Sequence, residues 1–233
     1  MCLLLHTHIV RMKIAIFQHV ASEPAGYFET VFFEQEIPFE YVRLYETNEI
    51  PDGAKNATHL LFMGGPMSVN DERELPWLGE EKALIRDAVK KDRKVLGICL
   101  GAQLIASAFG ARVYPYRQET GWCTLTRTPD ASGIFSRFPP QFSVFQLHGE
   151  TFDLPPGARL LCTGETIHHQ AFAYKTALGL QFHLELTDTI IREWVKDLDP
   201  GIQAAVQKET PRFLADSNRL CRVIAQDFVA KKG

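Results

Sequence analysis

Gly97-Ile98-Cys99-Leu100-Gly101 sets a cysteine between two glycines, after the apolar run Lys94 to Leu96 and before the helix-like stretch Ala102 to Phe109. A nucleophile at such a strand-to-helix turn is held in a strained backbone, and a β-carbon on either glycine would clash with the neighbouring strand or helix. The turn is expected to expose the thiol at the carboxyl end of a sheet, where open α/β folds place their sites. A helix N-terminus stabilises negative charge on sulfur, and the backbone N–H of Leu100 would point to where an oxyanion forms. A free cysteine in a strand is otherwise a common core residue. The paired glycines and the helix that follows favour a nucleophile instead.

A thiol nucleophile needs a base, and the base needs a partner to orient it. Gln181-Phe182-His183-Leu184-Glu185 supplies both. In an extended backbone, residues two apart point to one side, so His183 and Glu185 lie together while Phe182 and Leu184 turn to the core. Alone, this spacing is more often a structural hydrogen bond; beside the elbow it becomes the favoured base and its orienting carboxylate.

With Met63-Gly64-Gly65-Pro66-Met67-Ser68-Val69, these segments make three ordered motifs, and together they resemble the class I glutamine amidotransferase family. The stand-alone members related to the glutaminase domain of GMP synthase are the nearest in pattern. The resemblance runs from Lys13 to Glu185 and implies that Cys99, His183 and Glu185 are a catalytic triad. It implies that Gly64 and Gly65 line the glutamine pocket, that the N–H of Gly65 is an oxyanion donor beside that of Leu100, and that Gln103 contacts substrate. Read on the residues alone, Gly64-Gly65 is a turn after a strand and Gln103 a polar residue in a first helical turn. The chain departs from the family at two places: Leu184 stands where proline is usual, with an effect expected on backbone stiffness, and Glu150 stands where stand-alone relatives tend to have aspartate.

The implied activity is hydrolysis of a γ-glutamyl amide through a Cys99 thioester, with no cofactor. The implied substrate is a small molecule, glutamine or another γ-glutamyl compound, and a separate synthase subunit could accept the ammonia. Relatives also include γ-glutamyl peptide and conjugate hydrolases. A non-catalytic regulatory or binding protein on this fold would be expected to lack a triad member, and the chaperone-like cysteine families of the wider fold lack the His-x-Glu segment.

The elements that must position these residues alternate. Lys13 to Val20, Phe39 to Tyr45, His59 to Met63 and Lys94 to Cys99 read as strands, with helices over Ala25 to Gln35 and Glu80 to Lys91, the latter apolar at Leu84, Ile85, Ala88 and Val89. This predicts an α/β fold, an open doubly wound, mostly parallel sheet of flavodoxin-like type. From Gly110 to Gln181 the pattern turns to short strands: Val113 to Arg117, Trp122 to Arg127, Ser143 to Leu147, Ala158 to Thr163 and Gly179 to Phe182. They are expected to form a small antiparallel extension covering one side of the sheet. Thr187 reads as the N-cap of a helix through Trp194 and Val195, and Pro211 to Ala230 reads as a last helix.

The 233 residues carry a net charge of −3 and no basic run, which argues against a nucleic-acid partner. No apolar stretch reaches the roughly 18 residues of a membrane span. Five cysteines without a C-x-x-C pair suggest reduced thiols and a cytoplasmic protein. No metal site is expected: His168-His169 reads as a solvated loop pair, and His148 as a structural histidine or one that approaches the site. The Gly64-Gly65 turn lacks the lysine of a P-loop. One domain over residues 1–233 is expected, with 1–11 a possible extra segment ahead of a translation start at Met12.

Overall fold

The computed structural model describes residues 12–129, 131 and 133–230, so the expectations for residues 1–11 lie outside the described residues. The elements run β1 Ile14–Gln18, α1 Tyr27–Glu34, β2 Phe39–Arg43, the single turns α2 Leu44–Thr47 and α3 Asp52–Lys55, β3 His59–Phe62, α4 Trp77–Lys90, β4 Lys94–Ile98 and α5 Leu100–Ala108. There follow β5 Val113–Arg127, β6 Gln141–Phe152, β7 Arg159–Thr163, β8 Ala171–Tyr174, β9 Ala177–Leu180, α6 Asp188–Val195 and α7 Pro200–Val229. Among the described residues the strands form one nine-stranded sheet in the order β2-β1-β3-β4-β9-β8-β7-β5-β6. The five strands from β2 to β9 are parallel, and those from β9 to β6 pair antiparallel.

All five residues of β1, IAIFQ, are buried, as a central parallel strand covered on both faces requires. Its side chains alternate between two cores. Ile14 and Ile16 join Phe28 and Phe32 of α1 and Leu220 and Phe228 of α7 on one face, while Ala15 and Phe17 join Trp77 and Ile85 of α4 and Leu104 and Ile105 of α5 on the other. The doubly wound α/β architecture is therefore a direct product of period-two burial in the strands.

Local readings differ at three points. Val113 to Arg127 is one strand, because the polar run before Gly121 is absorbed by a register shift between Pro115 and Glu119 and does not turn the chain back. The antiparallel strands continue the sheet at its edge instead of lying over it, and they include β8, which gave no separate signal. The last helix starts at Pro200, where the Asp199 carboxylate caps the N–H groups of Gly201 and Ile202. Pro211 lies inside that helix and does not open it. Thr187 does cap α6, accepting from the Ile190 N–H at 3.3 Å.

Candidate active site

Four neighbouring parallel strands, β1, β3, β4 and β9, deliver the site from their carboxyl ends: His19 and Glu23, Gly64-Gly65, Cys99, and Gln181 to Glu185. Cys99 sits between β4 and α5 at φ 51°, ψ −106°, a conformation unfavourable for any residue with a side chain. The flanking glycines permit it. A β-carbon on Gly97 would fall 2.3 Å from the Gly101 carbonyl oxygen, and one on Gly101 would fall 2.2 Å from that of Phe62 in β3. The Gly101 N–H also donates to the Met63 carbonyl at 3.2 Å, tying the elbow to the end of β3.

Cys99 is only 5% exposed, so the thiol lies on the floor of a cleft and not at an open surface. That cleft, about 410 Å³, is lined by Gly65, Ser68, Asp71, Cys99, Gln103 and Glu150, among others.

His183 lies beside Cys99, whose thiol is among the groups acting on its imidazole, and its Nδ1 is 2.6 Å from Oε1 of Glu185. Both His183 and Glu185 are 1% exposed. The segment is not a strand; His183 makes one antiparallel bridge to Phe145, and Trp194 packs edge-on against its ring at 4.8 Å. Phe182 and Leu184 do enter the core, as alternation predicts. Burial alone would push the His183 imidazole down, but the charge of Glu185, the Cys99 thiol and the hydrogen bond to Glu185 outweigh it and hold the group well above its ordinary range. A thiol beside an imidazole that is hydrogen-bonded to a carboxylate is an arrangement capable of nucleophilic acyl transfer.

Residues 30–196 match the model of the glutamine amidotransferase class-I family. The chain belongs to that family. It is 36% identical over 148 residues to a glutamine-hydrolysing GMP synthase of Thermomicrobium roseum, covering 60% of this chain and 26% of the relative. It therefore spans about a quarter of that synthase. YfeJ of Salmonella typhimurium, a glutamine amidotransferase-like protein, is 28% identical over 212 residues, 88% of this chain and 89% of its own. One subunit of the glutamine-hydrolysing GMP synthase of Thermococcus kodakarensis is 33% identical over 135 residues, 56% of this chain and 67% of its own. Among solved structures, a glutamine amidotransferase of Thermotoga maritima is similar at TM-score 0.83 and 30% identity, covering 95% of this chain and 99% of its own.

Within this class-I amidotransferase fold, several site residues gave no signal in the sequence. Gln181, 3.8 Å from Cys99 Sγ through its Nε2, accepts from Gln103 Nε2 at 3.2 Å. Gln103 also donates to the Glu150 carbonyl, so its amide N–H groups are engaged by protein. His148 lines the cleft with both ring nitrogens engaged, Nδ1 against the Glu150 carbonyl and Nε2 against Gln146 and Glu119, so both readings of it hold. Glu23 lies over Gly64, where a β-carbon would meet its Oε2 at 2.0 Å and His183 Cε1 at 3.3 Å. Burial pushes its carboxyl up, against the pull of His183 and His19. Of the other pair, His168 is exposed while His169 is half-buried, its Nδ1 2.8 Å from the Phe152 carbonyl. Among the described residues no cluster of His, Cys, Asp and Glu could hold a metal ion, and no helix is long and apolar enough to cross a membrane.

Proposed function

We propose that the protein hydrolyses a γ-glutamyl amide by acyl transfer to Cys99. The arrangement of Cys99 on the cleft floor, His183 beside it and Glu185 held by His183 carries this reading. The sulfur attacks the side-chain amide carbon, and the N–H groups of Gly65 and Leu100 stabilise the oxyanion of the tetrahedral intermediate. The carbon–nitrogen bond breaks as the His183 imidazolium gives its proton to the leaving nitrogen. Water, deprotonated by His183, then cleaves the thioester and releases glutamate, and the proton on His183 restores the starting state.

The cleft lining supports recognition of an amino-acid ammonium. Asp71 and Glu150 are its acidic residues, and among the described residues Oε2 of Glu150 is buried with no hydrogen-bond partner. Burial holds the Glu150 carboxyl up, as does Asp71, against a hydrogen bond from Ser68. A substrate α-ammonium in this place supplies the missing donor and the opposite charge.

The ammonia goes to a separate synthase subunit or is released. That the Thermococcus relative is one subunit of a GMP synthase supports the first. Where the substrate is instead a γ-glutamyl peptide or conjugate, the same site releases an amine in place of ammonia and the protein is a γ-glutamyl hydrolase. Glutamate release from glutamine and a panel of γ-glutamyl peptides, with Cys99→Ala in parallel, tests the reading and ranks the substrates. Turnover abolished in the variant supports it; turnover retained overturns it.

A further inference from the structure

His19 and Glu81 are 1% and 0% exposed, yet neither belongs to the triad. His19 follows β1, and its ring lies between three groups. Nδ1 is 3.0 Å from the carbonyl oxygen of Gly64, Nε2 is 3.1 Å from Oε1 of Glu81, and Trp77 stacks against the face at 5.5 Å and 18°. Trp77 and Glu81 are one turn apart on α4, so one helix presents both the stacking surface and the carboxylate. Burying an ionisable pair in a core is costly, and apolar residues of similar volume are often at least as stable. The pair therefore calls for a role beyond packing.

We propose that His19, backed by Glu81, is a positioning residue that locks the Gly64–Gly65 peptide with its N–H aimed at the oxyanion formed on Cys99. The carbonyl of Gly64 and the N–H of Gly65 belong to one trans peptide unit, and they point in opposite directions. The carbonyl is held inward by His19, beneath a buried Gly64. The N–H of the partly exposed Gly65 then faces the cleft that Cys99 also lines. Without the clamp, two adjacent glycines have little to prevent rotation of the peptide between them.

Both ring nitrogens of His19 face oxygens. The imidazole either is doubly protonated against a carboxylate, or keeps its proton on Nδ1 and accepts one on Nε2 from a neutral Glu81. In either state Nδ1–H donates to Gly64, so the clamp survives wherever the shared proton sits. Besides Glu81, Glu23 is the other charged group that faces His19.

This rests on the acyl-transfer reading, and its test separates the two. His19→Leu with Glu81→Leu removes both partners and leaves no orphaned charge, while His19→Asn with Glu81→Gln keeps an amide donor near the place of Nδ1. The apolar pair lowers kcat on the best γ-glutamyl amide by about 100-fold, the order seen when one oxyanion donor is lost, with little change in KM. Iodoacetamide alkylation of Cys99, which builds no oxyanion, keeps its rate. The amide pair recovers most of the lost kcat. An unchanged kcat in the apolar pair, or a fall matched by slower alkylation, overturns the clamp. Nitrogen-15 NMR of the native protein gives a second test that needs no variant: Nδ1 of His19 carries a proton, and a bare Nδ1 overturns the proposal. A wild-type protein without turnover on the panel, or a Cys99→Ala variant with it, overturns the acyl-transfer reading and the clamp with it.

Discussion

The backbone N–H of Leu184 donates to Oε2 of Glu185 at 2.9 Å, while the other carboxylate oxygen of Glu185 is held by His183. A proline at position 184 has no such N–H. The departure from the family's usual residue thus changes more than backbone stiffness: it adds a donor to the carboxylate that orients the imidazole.

Leu184→Pro removes this hydrogen bond to a charged, buried group, an interaction typically worth about 1.5–3 kcal/mol. The expected outcome is a kcat lower by about tenfold or more at similar KM, since about 1.4 kcal/mol corresponds to one decade. Leu184→Ile, which keeps the N–H and the side-chain volume, serves as the control in steady-state kinetics and is expected to stay near wild type. Equal kcat in the proline and isoleucine variants would remove any role for the N–H.

Gly101→Ala is expected to destabilise the protein by about 3 kcal/mol or more, because its β-carbon would lie 2.2 Å from the Phe62 carbonyl oxygen, a backbone atom that cannot swing aside. Urea titration measures this directly. A loss below about 1 kcal/mol would mean that β3 and α5 can separate at little cost.

The elbow was legible in the sequence because its signature is local: Gly97, Cys99 and Gly101 lie within five residues, although the contact that Gly101 answers comes from Phe62 in the neighbouring strand β3. The His183–Glu185 pairing was legible for a partly wrong reason. Alternation in an extended segment suggested it, whereas one bridge to Phe145, the Leu184 N–H and the Trp194 ring hold it in place. His19, Glu81 and Gln181 left no mark in the sequence, since His19 meets Glu81 across 62 residues and Gln181 meets Cys99 across 82. The fold shows the same division. Buried parallel strands announce themselves by composition, but a bulge between Pro115 and Glu119 looks like a turn, and Pro211 inside α7 looks like a helix start.

The pH profile follows from His183. Its folded-state value is raised well above 6.5, so the imidazolium that donates to the leaving group persists to higher pH than a free imidazolium would and is lost as pH rises through that raised value. The stability contributed by the pair is likewise fully present below 6.5 and declines on the alkaline side. The alkaline limb of kcat/KM is expected well above 6.5, and Glu185→Gln should move it toward acid. An alkaline limb at or below 6.5 in the wild type, or one that Glu185→Gln leaves in place, would contradict the assignment.

Glu150→Gln removes charge from the cleft while keeping its shape. If Glu150 receives the substrate ammonium, KM for a γ-glutamyl amide rises about tenfold or more, in line with about 1.5–3 kcal/mol for a hydrogen bond between charged groups, and kcat changes less. Analogues lacking the α-amino group should lose most of this difference between wild type and variant. An unaltered KM would place ammonium recognition elsewhere in the cleft.

Acyl transfer at this site requires a covalent glutamyl adduct on Cys99. Turnover of a γ-glutamyl amide stopped by acid and followed by peptide mapping should find the glutamyl group on the peptide containing Cys99, and on none of those containing Cys123, Cys162 or Cys221. A wild-type protein that turns over its substrate with no adduct at Cys99, or with the adduct on another residue, would contradict it.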